Sequence, residues 1–222
     1  MKNVYITSVD CLDDISLYNK AYRFLSRSRK LKLSKYRNDL DKKLCMAAEL
    51  LLKHALFVEN HLNFNEELQY EFNNNQKPYI KNIEINFNLS HSGKYCICVL
   101  DKCDIGCDIQ TMADIKTDIA KRFFHPNEYD YLKLIKNNTK VFYRLWTLKE
   151  AFIKCVGGGL NIPLNSFEIK ISNKVEVIQS INSNKYYFKE FDFDNSHISI
   201  CRMDDNDCVL NEIDLKKVIE NA

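Results

Sequence analysis

Hydrophobic and polar positions alternate along this chain with two different periods, and the switches between them mark its elements. From Asn3 to Val9 and from Ile105 to Gln110 the period is two, as in strands whose successive side chains face opposite ways. Between Asp39 and Val58 it lengthens to about 3.6, so that Leu44, Ala48, Leu51, Leu52, Ala55 and Val58 share one side of a helix. The same period returns from Val141, with Leu145, Leu148, Phe152 and Cys155 in the apolar stripe. Gly157 follows as a left-handed stop.

Shorter alternating runs predict strand pairs on either side of turn residues. These are Leu68–Phe72 with Pro78–Ile80, Ile85–Leu89 with Tyr95–Leu100, Phe167–Ile171 with Val175–Ile178, and Tyr186–Phe193 with His197–Met203. A charged helical region is predicted from Ser16 to Asn38, and a polar tail with a short helical end from Asp204. Each half thus has a long helix, a hairpin turned at asparagine and a second strand pair. The pattern implies an α+β fold of two pseudo-symmetric halves, 1–104 and 105–222, each a long helix on a small, mainly antiparallel sheet.

Composition narrows the partners. Lys plus Arg exceed Asp plus Glu by 32 − 30 = 2 among 222 residues, so no global field points to nucleic acid or a membrane surface. No apolar run reaches membrane-spanning length. Nine cysteines without a charged-then-apolar leader predict a reducing, cytoplasmic setting. Cys96, Cys98, Cys103 and Cys107 invite a zinc reading, but a single residue separates the first pair, which suits small buried thiols better.

The densest chemistry lies on the 141–156 helix. Tyr143, Thr147, Glu150 and Lys154 fall opposite the apolar stripe, bordered by Trp146 and Ile153, so this side also meets protein rather than water. A plainer reading makes Glu150 and Lys154 an i,i+4 surface pair stabilising the helix by roughly 0.2–0.5 kcal/mol. The upstream strand offers a partner: Asp108 and Gln110 project together beside the bare backbone of Gly106. An acidic strand end and an acidic helix face could together hold a hard cation such as magnesium, which commonly takes one or two carboxylates and substrate phosphate oxygens.

Ile105-Gly106-Cys107-Asp108-Ile109-Gln110, followed by Trp146-Thr147-Leu148-Lys149-Glu150-Ala151-Phe152-Ile153-Lys154, resembles the paired signature of the 4'-phosphopantetheinyl transferases. Phe87–Gly93, Ala120–Phe124 and Phe142–Trp146 are similar to the surfactin-type branch, and the likeness runs from about Arg29 to Phe167. The resemblance implies a monomer whose two halves have the coenzyme between them. It would transfer the phosphopantetheine arm of coenzyme A to a serine of an apo acyl or peptidyl carrier protein, releasing adenosine 3',5'-bisphosphate.

It also implies roles. Asp108, Gln110 and Glu150 would hold magnesium, although most of the branch has an acidic residue where Gln110 stands. Glu128, in Phe123-Phe124-His125-Pro126-Asn127-Glu128-Tyr129, would be the general base, and Lys154 would steady the diphosphate. Arg29, Lys32, Lys77, Ser90 and His91 would contact the coenzyme, with Gln76 replacing the glycine expected before Lys77. The stretch Met112–Phe124 would help dock the carrier. Without the resemblance, Glu128 reads as a first-turn helix carboxylate, Lys77 as a turn lysine, and Ser90-His91-Ser92-Gly93 as a tight connection suited to an anion. Two other classes stay open: a module that binds coenzyme A or carrier domains without transfer, and a magnesium-dependent hydrolase of nucleotide diphosphates.

Overall fold

A computed structural model describes residues 1–114, 117–136 and 138–222. The fold is α+β, and the chain divides into two compact units: Met1–Lys102 with Cys208–Ala222, and Cys103–Asp207.

The first unit begins with β1 (Lys2–Ser8) and the helices α1 (Ile15–Arg23) and α2 (Arg27–Leu33). The single helical region expected from Ser16 to Asn38 is broken because Ser26 leaves the helix to cap α2. Its hydroxyl accepts the Arg29 amide at 3.2 Å, while its own N–H and O–H donate to buried Glu49. Next comes α3 (Asp39–Val58), over the residues its periodicity predicted and capped by Asn38. After the small pair β2 (Tyr70–Phe72) and β3 (Pro78–Ile80), the hairpin β4 (Asn86–Ser92) and β5 (Tyr95–Asp101) pairs with β1 through β5. Helix α3 packs on this sheet, placing Leu51, Leu52, Ala55, Cys96 and Cys98 in one core.

The second unit repeats the plan with its own core. It contains β6 (Ile105–Thr111), α4 (Thr117–Phe123), α5 (Pro126–Leu134), α6 (Thr139–Val156), the hairpin β7 (Glu168–Ile171) and β8 (Val175–Ile178), then β9 (Tyr187–Phe193) and β10 (Ser196–Arg202). The antiparallel order is β6-β10-β9. Asn138 caps the start of α6 and Gly157, at φ 75°, closes its end as the sequence predicted. One side of α6 packs Leu145, Leu148 and Phe152 against Phe124, Phe167 and Tyr186. Phe152 meets Phe167 and Tyr186 with ring centroids 4.7 and 5.0 Å away.

The polar side of α6 lies on the sheet. Thr147 and Ser199 share a hydroxyl bond of 2.8 Å, and Arg144 grips Glu190 with two bonds of 2.7 and 2.8 Å. This close contact depends on Gly106. A Cβ there would sit 2.1 Å from the Ala151 carbonyl oxygen and 2.4 Å from the Cys155 nitrogen, both fixed backbone atoms of α6.

The tail departs from the expected 105–222 half. Residues after Asp207 return to the first unit, where β11 (Cys208–Glu212) pairs in parallel with β1 and is followed by α7 (Leu215–Glu220). Leu215 and Ile219 join the first core, and Ile213 N–H donates to Ile6 O at 2.7 Å. A five-residue strand with Asn211 and Glu212 in it carries too little alternation to be read from sequence. Among the described residues, no helix is long and apolar enough to cross a membrane.

Burial acts to raise the Glu190 carboxyl, but its bonds to Arg144 and to His197 Nε2 outweigh it and hold the group down to about 2. Against the ordinary value of 4.5, this corresponds to about 3 kcal/mol of folding stability. Because the folded value is depressed, the contribution is complete above pH 4.5 and is lost as pH falls toward 2. Urea unfolding of Glu190→Gln should therefore show a shallower acid decline than the parent over that window. Parallel declines would show that Glu190 contributes no such stability.

Candidate active site

The α6 face of β6 carries the first group of interest. Asp108 is 2 % exposed, and its Oδ1 accepts Lys154 Nζ at 2.6 Å while its Oδ2 accepts Gln110 Nε2 at 3.1 Å. Lys154 also donates to the Cys107 carbonyl at 3.2 Å. One turn earlier on α6 stands half-buried Glu150. Its carboxyl is pushed up by burial and then by the negative charge of Asp108, with Lys154 pulling it back. For Lys154 burial acts to lower the ammonium, but Asp108 wins and holds it above the usual lysine range.

Two carboxylates and one ammonium leave this group short of positive charge. The donor set fits magnesium: two carboxylates, plus the Gln110 carbonyl oxygen on the amide whose nitrogen already binds Asp108, with other positions left to water or substrate oxygens. Among the described residues, no cluster of three or more His, Cys, Asp or Glu side chains could hold a metal, so any such site here uses fewer acidic ligands.

Glu128 keeps other company. It occupies the first turn of α5, where Oε2 accepts the His125 amide at 2.8 Å in a capping box. Its Oε1 accepts Lys149 Nζ and the Ile169 amide, both at 2.6 Å, and the side chain is 1 % exposed. Three donors and full burial leave it poorly placed to take a proton from an incoming hydroxyl. Lys149 is fully buried, also donates to Phe167 O at 2.8 Å, and lies 4.2 Å from the Phe167 ring centroid. Burial holds its ammonium down to about 8, against the pull of Glu128.

The expected coenzyme residues belong to the first unit. Arg29 is largely buried: Nε donates to Glu49 at 2.9 Å and Nη2 to the Tyr70 hydroxyl at 3.3 Å. Lys32 is exposed on α2. Lys77 ends a tight loop in which Asn73 Oδ1 accepts the Asn75 and Lys77 amides, both at 2.9 Å. Gln76, standing where the family pattern has glycine, adopts φ 65°, the left-handed conformation that glycine adopts without strain. Ser90 and His91 do not form a turn. They lie within β4, paired with Ile97 and Cys96, and the connection is Gly93-Lys94 with Gly93 at φ 56°. As strand neighbours they face opposite ways, Ser90 inward at 8 % exposure and His91 outward. The expected docking stretch Met112–Phe124 includes Ile115 and Lys116, which lie outside the described residues.

Residues 104–205 match the 4'-phosphopantetheinyl transferase superfamily, and residues 15–102 match the 4'-phosphopantetheinyl transferase N-terminal family. The chain is 33 % identical over 171 residues to 4'-phosphopantetheinyl transferase gsp of Aneurinibacillus migulanus, covering 76 % of this chain and 71 % of that protein. Against 4'-phosphopantetheinyl transferase Sfp of Bacillus subtilis strain 168 it is 30 % identical over 184 residues, 80 % of this chain and 82 % of the other. A Bacillus subtilis 4'-phosphopantetheinyl transferase shares 46 % over 100 residues, 44 % of this chain and 45 % of that one. The chain belongs to the 4'-phosphopantetheinyl transferase superfamily. Within it, the gsp and Sfp relatives place the chain in the surfactin-type branch. The two family matches meet where the structural units divide, at Lys102 and Cys103.

Two features of this transferase-family chain escaped the sequence reading. Lys149 was legible in principle, since a lysine one residue from Leu148 and four from Leu145 borders the apolar stripe and needs a buried carboxylate. The Glu190–His197–Asp192 chain, with His197 Nδ1 2.8 Å from Asp192 Oδ1, is assembled by strand register and left no local motif.

Removing one member of the buried Glu128–Lys149 pair should cost about 3–5 kcal/mol, because the other charge is left unpaired. Urea unfolding of Glu128→Gln, Lys149→Met and the double variant checks this. The double should recover much of the loss, whereas simple additivity would show that the two groups are not coupled.

Proposed function

We propose that this chain transfers the 4'-phosphopantetheine arm of coenzyme A to a serine hydroxyl of an apo acyl or peptidyl carrier protein, releasing adenosine 3',5'-bisphosphate. The observation that carries the reading is the Asp108–Lys154–Glu150 group, built where β6 and α6 meet. Gsp and Sfp are named for this activity, and likeness to them extends over most of the chain.

In this reading the serine oxygen forms a bond to phosphorus as the bond from phosphorus to the nucleotide oxygen breaks, and the hydroxyl proton passes to the departing phosphate oxygen. Asp108 and Glu150, with the Gln110 carbonyl, would hold magnesium. When bound, it supplies neutralisation of the diphosphate oxygens, whose negative charge otherwise repels the nucleophile. Lys154, anchored by Asp108 and the Cys107 carbonyl, would steady negative charge on the departing nucleotide.

Glu128 is assigned a positioning role instead of the base role implied by the resemblance. Through Lys149 it fixes the rotation of α6, and with it the direction of the neighbouring Glu150. Exposed Lys32 and His91, together with Lys77, are proposed contacts for coenzyme phosphates. Arg29 would have to exchange Glu49 and Tyr70 for a phosphate to join them. A cytoplasmic monomer is proposed, and its nine cysteines, all free thiols, suit a reducing compartment.

Mass spectrometry of an apo carrier incubated with the protein, coenzyme A and magnesium tests the activity. The expected product is the carrier heavier by one phosphopantetheine arm. Coenzyme binding with no gain on fatty-acid, polyketide and peptide-synthesis carriers would favour a binding module, and coenzyme cleavage without a carrier would favour a hydrolase.

A further inference from the structure

A cavity of about 500 Å³ opens in the first unit between the end of α1, the start of α2 and the flank of α3, and its wall carries unbalanced positive charge. Arg23, Arg27, Lys30 and Lys53 line it against a single carboxylate, Glu67. That carboxylate is already engaged, accepting the Arg27 backbone N–H at 2.7 Å. Among the described residues, none of the four cationic side chains forms an ion pair, whereas Lys42 and Lys43 on the same α3 are matched with Asp39 and Asp13.

The informative member is Lys53. It is 1 % exposed, and among the described residues its ammonium donates a single hydrogen bond, to the Phe24 carbonyl at 2.8 Å. Its remaining neighbour of note is the Phe64 ring, 5.6 Å to the centroid. An ammonium has three N–H donors, and among the described residues two of those on Lys53 have no protein acceptor, on a side chain that lines the cavity. Burial pushes the group below the usual lysine range, with Glu49 and Glu67 only partly restoring it. Glu49 is itself occupied by Ser26, Arg29 and Tyr70. Among the described residues Lys30 donates one long hydrogen bond, to the Arg23 carbonyl at 3.4 Å, and lies 5.3 Å from the Tyr22 ring centroid.

We propose that this cavity is a binding site for a phosphate-class dianion, either free or carried as a phosphomonoester by a small molecule. Lys53 and Lys30 are its direct donors, and Arg23 and Arg27 supply the field at its mouth. The site uses none of the residues assigned to transfer and does not depend on that assignment.

Proton–nitrogen NMR spectra of the full chain, titrated in parallel with inorganic phosphate and with glycerol 3-phosphate, test it. Saturable shifts are expected at the Phe24, Leu25 and Asn65 amides, and the tighter probe identifies whether the dianion is taken free or carried. Lys53→Met should weaken binding roughly tenfold, the size of one lost charge-assisted hydrogen bond. Lys30→Glu, a substitution near the surface with little risk to folding, should act in the same direction. Absence of saturable shifts at these amides, shifts confined to the surroundings of His91 and Lys77, or binding that survives both substitutions would overturn the proposal.

Discussion

The closeness of α6 to β6 at Gly106 is the constraint on which the second unit depends. Carbonyl and amide atoms of the helix occupy the space a side chain at 106 would need, so only glycine lets the polar side of α6 settle on the sheet. That contact brings Lys154 to Asp108, Thr147 to Ser199 and Arg144 to Glu190 along one helix. The layer is polar yet largely buried, which is why its groups answer one another instead of water.

Adjacent residues of α6 then do different work. Lys149 enters a closed pair in which Glu128 is satisfied by an ammonium and two backbone amides. Glu150, the next residue, has its carboxyl raised first by burial and then by the negative charge of Asp108, with Lys154 only partly pulling it back. A closed pair fixes structure, while an electrically incomplete group is prepared for a cation. On this contrast rests the proposal that Lys149 serves position and Glu150 phosphoryl chemistry.

Much of this was legible in the sequence. The stripe Leu145, Leu148, Phe152 and the stop at Gly157 follow from period and capping, and the shared face of Asp108 and Gln110 follows from alternation alone. Less legible were features set by distant pairing. The return of 208–222 to β1 and the bonds of Glu128 to Lys149 and Ile169 depend on partners remote in sequence, while Ser90 and His91 enter β4 because the local hairpin runs on and turns later, at Gly93-Lys94. Ser26 shows the same limit locally: its capping of α2 is readable, but its tie to Glu49 across 23 residues is not.

The central claim is that Asp108 and Glu150 share one divalent ion. Manganese binding, followed by electron paramagnetic resonance on the parent chain and on Asp108→Asn, Glu150→Gln and the double variant, tests it most directly. The account predicts one ion per chain, an affinity loss of roughly 10–100-fold or more from either substitution, and little further loss in the double. Manganese affinity unchanged by both single substitutions, with the fold intact, would contradict it.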